Sequence, residues 1–358
     1  MLWHWLHPFA VSPPFGAACT AWAVLVALAV DRLWGEPPAR WHPVVWMGSA
    51  LGACGARIAP AAETQRNLKH FWLAALTWCA LAAMVVIATA ALQAGLLWLG
   101  SPAPTHSQGL DIEGVGLAGA HAVQTALAAV LTATALGLLL KPMLALAALQ
   151  NEVRAVEAAL CESLQAGRAR LAWLVSREVD SLSADEVRQS AIESLAENLN
   201  DSVVAPIFWF ALAGLPGAAL YRFANTADAM WGYPGMRGGR YWQWAGKWAA
   251  RADDVLSWLP ARLTALLLAL VAGGVPLRSL VQEARKTPSP NSGWPMAAMA
   301  LALGVRLTKP GAYQLHASGR PPTAHDAARA QNLVSKVALA LIPIALTAIV
   351  FDIMGTPA

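Results

Sequence analysis

Six apolar runs, near residues 14–30, 71–100, 114–140, 203–221, 255–276 and 333–353, reach or nearly reach the ~20 residues needed to cross a bilayer core of about 30 Å. Only 13% of the 358 residues are charged, about half the ~25% of an ordinary soluble domain. Water is therefore not the only solvent of this chain. The pattern predicts an all-α, polytopic integral membrane protein with about four to six membrane-embedded helices, some of them re-entrant, and amphipathic surface helices beside them. No internal repeat, low-complexity tract or linker divides the sequence, so one domain is expected over 1–358.

Much of the tryptophan stands where apolar runs meet polar sequence, at Trp34, Trp41, Trp46, Trp98, Trp242, Trp244, Trp248 and Trp258, as in interfacial belts. The first thirty residues hold no Lys or Arg, so a cleavable signal peptide is not expected. Segment 31–70 carries Arg32, Arg40, Arg57, Arg66 and Lys69, whereas 101–113 carries only the acids Asp111 and Glu113. Positive-inside bias puts the first loop inside and the second outside, and then places the polar helical segment 141–202 in the cytoplasm. The net charge of +4 is spread over loops, which excludes a nucleic-acid surface. Cys19, Cys54, Cys79 and Cys161 form no CxxC pair, so neither a disulfide frame nor a zinc site is expected.

Within 141–202, Val153, Val156, Leu160 and Leu164 recur at helical spacing, and Ser183 with Glu186 makes a capping box for a second helix. Down that helix Glu186, Glu193, Glu197 and Asp201 share one face and then run directly into apolar sequence. Carboxylates one turn apart repel, so a cation should compensate. Mg²⁺ is one candidate, because it takes oxygen ligands and bridges carboxylates to phosphates. A solvated face with arginine partners is the other, and spacing alone does not choose between them.

Three further clusters follow. YRFANTADAMWGYPG offers Arg222, Asn225, Thr226 and Asp228; ARADDVLSWLPAR offers Arg251, Asp253, Asp254 and Arg262; TPSPNSGWP offers Ser289, Asn291 and Ser292. Each alone reads as a helix start, an ion pair or a turn. Set among apolar runs they are costly unless paired, and together they suggest a site for a charged ligand at the membrane surface. After Gly214-Leu215-Pro216-Gly217 the topology is open: two ordinary crossings would put 222–254 outside, whereas a re-entrant segment at this interruption would keep it inside with 277–332, the arrangement favoured here. Gly114-x-Gly116-x-x-Gly119 precedes an apolar helix without a strand before it, so a dinucleotide fingerprint is rejected, and no Walker A sequence exists. Asn200-Asp201-Ser202 matches a glycosylation sequon but falls inside by this topology.

These clusters, in this order, resemble the adenosylcobinamide-phosphate synthase family of cobalamin biosynthesis, the CobD/CbiB proteins. The likeness runs from Asp31 to about Tyr313 through DRLWGEPPARWHPVVWMG, the AR…LVSRE segment at 169–178, ESLAENLNDSVVAPIFW, GLPGAALYRFANTADAMWGY, AARADDVLSWLPARLTA and SPNSGWPMAAMALALGV. Two departures are small: Glu178 stands where the family has Asp, and Ala227 and Ala229 interrupt its usual Asn-Thr-Leu-Asp-Ser-Met.

The resemblance implies a multi-pass enzyme of the inner (plasma) membrane with a cytoplasm-facing site. It would use ATP to join a propionate carboxyl of adenosylcobyric acid to (R)-1-amino-2-propanol or its O-phosphate. Its partners would be the corrinoid, the amine, membrane lipid and other late cobalamin-pathway membrane enzymes. On this reading Glu193, Glu197, Asp201, Asp253 and Asp254 hold Mg²⁺, and Arg222, Lys247 and Arg251 bind phosphates. Asn198, Asn225, Thr226, Asp228, Ser289 and Asn291 position the substrates, with Asp31 and His42 beside them. Glu197 or Asp228 serves as the base for the incoming amine. Rival readings are a Mg²⁺-dependent membrane prenyl- or phospho-transferase, a non-catalytic AmpE-like sensor and a transporter. The first would carry repeated DxxxD motifs and the last inverted repeats; ExxxENxxD beside an adjacent Asp pair is neither.

Overall fold

The computed structural model describes residues 16–63, 66–101, 114–175 and 178–355, without the side chains of 114–122 and 344–355. The expected outside loop with Asp111 and Glu113, and the last residues 356–358, lie outside the described residues. The chain forms α1 (Ala17–Trp34), α2 (Pro43–Ile58), α3 (Leu68–Gly100), α4 (Gly114–Leu140), α5 (Leu146–Glu162), α6 (Leu164–Leu171), α7 (Ala184–Leu199) and α8 (Ala205–Trp231). After a short hairpin, β1 (Met236–Arg237) with β2 (Arg240–Tyr241), come α9 (Lys247–Leu256), α10 (Trp258–Val271), α11 (Leu277–Ala284) and α12 (Gly293–Leu303). A second hairpin, β3 (Leu307–Lys309) with β4 (Tyr313–Leu315), leads into α13 (Ala324–Gly355).

The solvent of these helices is legible on their surfaces. α3 exposes Leu76, Met84, Ile87, Trp98 and Leu99, and α4 exposes Leu127, Leu131 and Leu138. Apolar faces of this extent belong against hydrocarbon. Among the described residues four helical stretches are long and apolar enough to cross a membrane, and five if the bent pair α9 and α10 is counted as one span. The protein is thus a helical membrane protein, as the apolar runs predict.

The stretch Ala184–Trp231 differs from the others, since 67% of its apolar window is buried inside the protein against 22% for α3. It is the hub on which α2, α3, α5, α9, α12 and α13 pack. Ser183 opens it with both halves of the capping box in place. A π-helical turn, Asn200–Val204, then joins α7 to α8, with the Ala205 N–H reaching the Asn200 carbonyl. Such turns insert an extra residue into the helix and recur at functional sites.

As a straight rod, 48 residues would measure roughly 70 Å, more than twice a bilayer core. The chain instead reverses at Ala213 and Gly214, where Gly214 takes φ +64°. Hydrogen bonds from Tyr221, Arg222 and Asn225 back to Asp201 and Ser202 span twenty or more residues, a separation of about 30 Å in a continuous helix. α8 is therefore a re-entrant helical hairpin, and 141–202 and the segment after Trp231 begin at the same end, as the Gly214–Gly217 interruption suggests. Pro216 falls in the first turn of the returning half, where its missing N–H costs nothing. The freed Leu215 N–H donates to Gln93 Oε1 on α3 at 2.8 Å. Replacing Gln93 by Leu strands that buried donor; the cost should be about 1–3 kcal/mol, read as a lower thermal midpoint in detergent.

Two sequence expectations change. The helix beginning at Ser183 is expected on the membrane surface, yet every residue from Gln189 to Ala196 is buried. α5, α12, α13 and β3 all pack against it. The second change is the pair of hairpins in an otherwise helical chain. Gly238 and Gly239 take φ +56° and +71° between paired Arg237 and Arg240, the two-residue turn that suits a hairpin.

A second buried feature ties the first helix to the hub. Asp31, fully buried at the end of α1, accepts from the Ala147 N–H at 2.8 Å and lies 3.2 Å from Lys141 Nζ. Lys141 also lies 3.0 Å from Glu36, whose other partner is His42 Nε2 at 3.0 Å. Burial pushes the Glu36 carboxyl up, but hydrogen bonds and charge from His42 and Lys141 outweigh it and hold the group below the usual carboxylate value.

Candidate functional site

The re-entrant hairpin brings its polar residues to one place. Asp201, on the π turn, accepts from Asn200 Nδ2 at 2.8 Å, Asn225 Nδ2 at 3.1 Å and the Tyr221 hydroxyl at 3.3 Å. Tyr221, Asn225 and Asp228 recur every three or four residues along the returning half, so they share a face. Across from them α9 supplies Asp253, whose Oδ1 lies 3.5 Å from the same Asn225 nitrogen. One amide thus joins two carboxylates from different elements. Ser257, where α9 bends into α10, is 3.1 Å from the Tyr221 hydroxyl.

Charge is concentrated here. Asp253 lies within electrostatic reach of Asp201, Asp228 and Asp254, and Asp228 within reach of Asp254 and Asp201. Arg222 is the cation among them. Its Nη1 donates to the Asp201 carbonyl at 2.8 Å, Ser202 Oγ at 3.2 Å and Asn225 Oδ1 at 3.3 Å. Its buried Nε has no hydrogen-bond partner among the described residues. Glu36, from the Asp31–Lys141 cluster, is also in electrostatic reach of Arg222. Trp78 on α3, about 15 Å along that helix from Leu68, packs on Phe223 of α8 at 5.5 Å and on Trp248 of α9 at 6.3 Å.

Eight further expected residues fall into four groups. Thr226 donates to the Arg222 carbonyl and Asn198 to the Ser194 carbonyl, so both hydroxyl and amide donors are engaged within their own helices. Lys247 is exposed with its ammonium 4.3 Å from the Trp244 ring, and Arg251 is exposed within reach of Asp254. Ser289 and Asn291 lie on the loop before α12, where Asn291 Nδ2 donates to the Asp254 carbonyl at 2.7 Å. Asp31 and His42, expected beside the substrate, are held by protein groups: Asp31 has no exposed surface, and His42 Nδ1 caps α2 by accepting from the Val44 N–H. These contacts tie the end of α1 and the start of α2 to the rest of the fold.

Glu193 is 1% exposed, which removes the solvated-face reading for that position. It stands two helical turns before Asp201, about 12 Å along the axis. Among the described residues no group of three or more His, Cys, Asp or Glu is placed to hold a metal ion. Glu193, Glu197, Asp201, Asp253 and Asp254 therefore do not make one closed cage. Asp201 and Asp253, facing a common amide, match the sparser arrangement in which Mg²⁺ takes one or two carboxylates and completes its shell from substrate phosphate and water.

Sequence reasoning passed over Glu36, Lys141 and Tyr221. Lys141 gave a faint signal, a lysine between an apolar run and Pro142; a single cation there reads as an interfacial anchor.

Residues 24–342 match the model of the CobD/CbiB protein family. The chain is 36% identical to the "Probable cobalamin biosynthesis protein CobD" of Methanothermobacter thermautotrophicus over 91% of its own length and 95% of that protein's. It is 37% identical to the "Cobalamin biosynthesis protein CobD" of Chromobacterium violaceum, covering 87% and 91% of the two chains. To that of Brucella suis it is 36% identical, covering 80% and 81%. No solved structure matches. With the family model spanning most of its length and relatives covered nearly end to end, this chain belongs to the CobD/CbiB family.

Proposed function

We propose that the protein acts in cobalamin biosynthesis as an ATP-dependent amide ligase, joining adenosylcobyric acid to (R)-1-amino-2-propanol or its O-phosphate to give adenosylcobinamide or its phosphate. The observation that carries the reading is the convergence of Asp201, Asn225 and Asp253 beside Arg222: the re-entrant hairpin brings Asp201 to Arg222 and Asn225, and α9 adds Asp253. Activating a carboxylate with ATP develops negative charge on phosphoryl oxygens, and catalysis is mostly positioning and neutralisation of that charge. Arg222 supplies a fixed guanidinium there. Asp201 and Asp253 are the residues suited to hold Mg²⁺, which would neutralise phosphate charge when bound. Asp228, half-buried on the same face as Asn225 and within electrostatic reach of Asp254 and Asp201, would hold the ammonium of the amine and then take its proton. Exposed Lys247 and Arg251 on α9 draw anionic substrates toward the cluster. The polar end that bears the site faces the cytoplasm of the inner membrane by the positive-inside bias of the loops.

Against a prenyl- or phospho-transferase stands the donor set, which lacks paired DxxxD helices. The test is direct. Purified protein in lipid nanodiscs, given adenosylcobyric acid, the amine or its phosphate, and Mg-ATP, should yield the amide by mass spectrometry with loss of ATP. Consumption of a prenyl or phospholipid donor instead would overturn the assignment.

A further inference from the structure

A cavity of about 520 Å³ lies beside the acidic cluster and is lined by Trp258, Arg262, Arg285, Thr287, Ser289 and Trp294 among others. Its size falls within the roughly 300–1,000 Å³ of small-molecule sites. Its lining holds two guanidiniums and no carboxylate.

The pocket is built. The Arg262 guanidinium stacks between two indoles, 4.3 Å from the Trp258 ring centre and 4.9 Å from that of Trp294. It is fixed edgewise by donating to Asn291 Oδ1 at 2.9 Å and the Pro290 carbonyl at 3.3 Å. Its Nη1 also donates to the Trp258 carbonyl at 2.6 Å, so the guanidinium has given up its side-chain freedom before any ligand arrives, and the edge left over, Nε with the second Nη2 hydrogen, matches a phosphate bidentately. Ser289 Oγ accepts from the Asn291 and Ser292 N–H groups, at 3.2 and 3.3 Å, while its own proton has no acceptor among the described residues. Arg285 is exposed at the rim with no ion-pair partner among the described residues. Asn291 couples the pocket to the site, since the same amide that accepts from Arg262 donates to the Asp254 carbonyl.

We propose that this pocket is a phosphate-binding site that receives the phosphoryl group of a soluble small-molecule substrate and presents it to the α9 acids. That the substrate is a nucleotide or the phosphorylated amine rests on the ligase reading; that it carries phosphate rests on the pocket.

The experiment titrates full-length protein in neutral phosphatidylcholine nanodiscs, without metal, with orthophosphate, a non-hydrolysable ATP analogue and aminopropanol O-phosphate, following ³¹P line broadening. Binding of at least one should weaken about tenfold in Arg285→Gln and Ser289→Ala and more in Arg262→Gln. Thermal midpoints identify any variant that fails to fold, and Arg285→Gln, at an exposed position, is the one that should not. Whichever phosphate competes identifies the source. Affinity for all three unchanged in Arg285→Gln and Ser289→Ala would overturn the proposal. So would ³¹P contacts to Arg262 that arise only when anionic phospholipid replaces the neutral lipid, which would make the pocket a headgroup site. Phosphate binding with no amide formed by the wild-type protein would leave the pocket standing and remove the ligase.

Discussion

Asp253→Asn should lower amide formation by about two to three orders of magnitude while the thermal midpoint stays level or rises. Asp253 shares Asn225 with Asp201 and lies within reach of Asp228 and Asp254, so its charge is opposed by three neighbours. Removing one negative charge from that group relieves repulsion in the folded state, and the asparagine amide still fills the same volume. A residue kept for stability would behave in the opposite way, losing midpoint in step with rate. The divergence of activity from stability is therefore the diagnostic, measured as turnover and as unfolding of the same preparation. Full activity in the variant would remove Asp253 from the site. Asp201→Asn is the less clean experiment, because Asp201 accepts from Asn200, Asn225 and Tyr221 and holds the hairpin's base together.

What the sequence disclosed follows from how local each signal is. Apolar run lengths, the Ser183 capping box and the break at Gly214 depend on a few consecutive residues, and each appears where expected. The re-entrant path itself could be offered only as an alternative to two crossings, because it depends on which residues Asp201 meets twenty positions later. The row Glu193, Glu197 and Asp201 takes a different shape in the fold for a related reason. Equal spacing assumes an ideal helix in water, whereas a π turn displaces Asp201 from the row and neighbouring helices bury Glu193. Asp201 then shares the Asn225 amide with Asp253. Asp31 and His42 stood in the motif most like the family's, yet a motif cannot say whether its residues touch substrate or hold the helix that does. Of the second pocket the sequence offered Arg262 and the SPNSG turn as separate clusters; that they meet depends on α10 packing against the loop before α12.

Lys141→Met should cost about 3–5 kcal/mol, because it leaves the Asp31 carboxylate fully buried without its cation. Unfolding in mixed micelles measures this. The double variant Asp31→Asn/Lys141→Met should recover most of the loss: asparagine keeps an oxygen for the Ala147 N–H but carries no charge to leave uncompensated. A pair in which both single and double variants are equally unstable would show that Lys141 matters for packing alone. Glu36 gives the cluster a pH signature. Its carboxyl sits below the unfolded value of about 4.3, so its stabilisation is complete above that pH and is lost as pH falls through the lowered folded value. Lys141→Met should flatten that acid limb, since Glu36 then keeps only His42. The same substitution reaches the site, because Glu36 is one of the charges around Arg222. With its lysine gone, Glu36 is an anion held only by His42 within electrostatic reach of that guanidinium, and a weaker hold on phosphate should follow as a raised KM for ATP with kcat less affected.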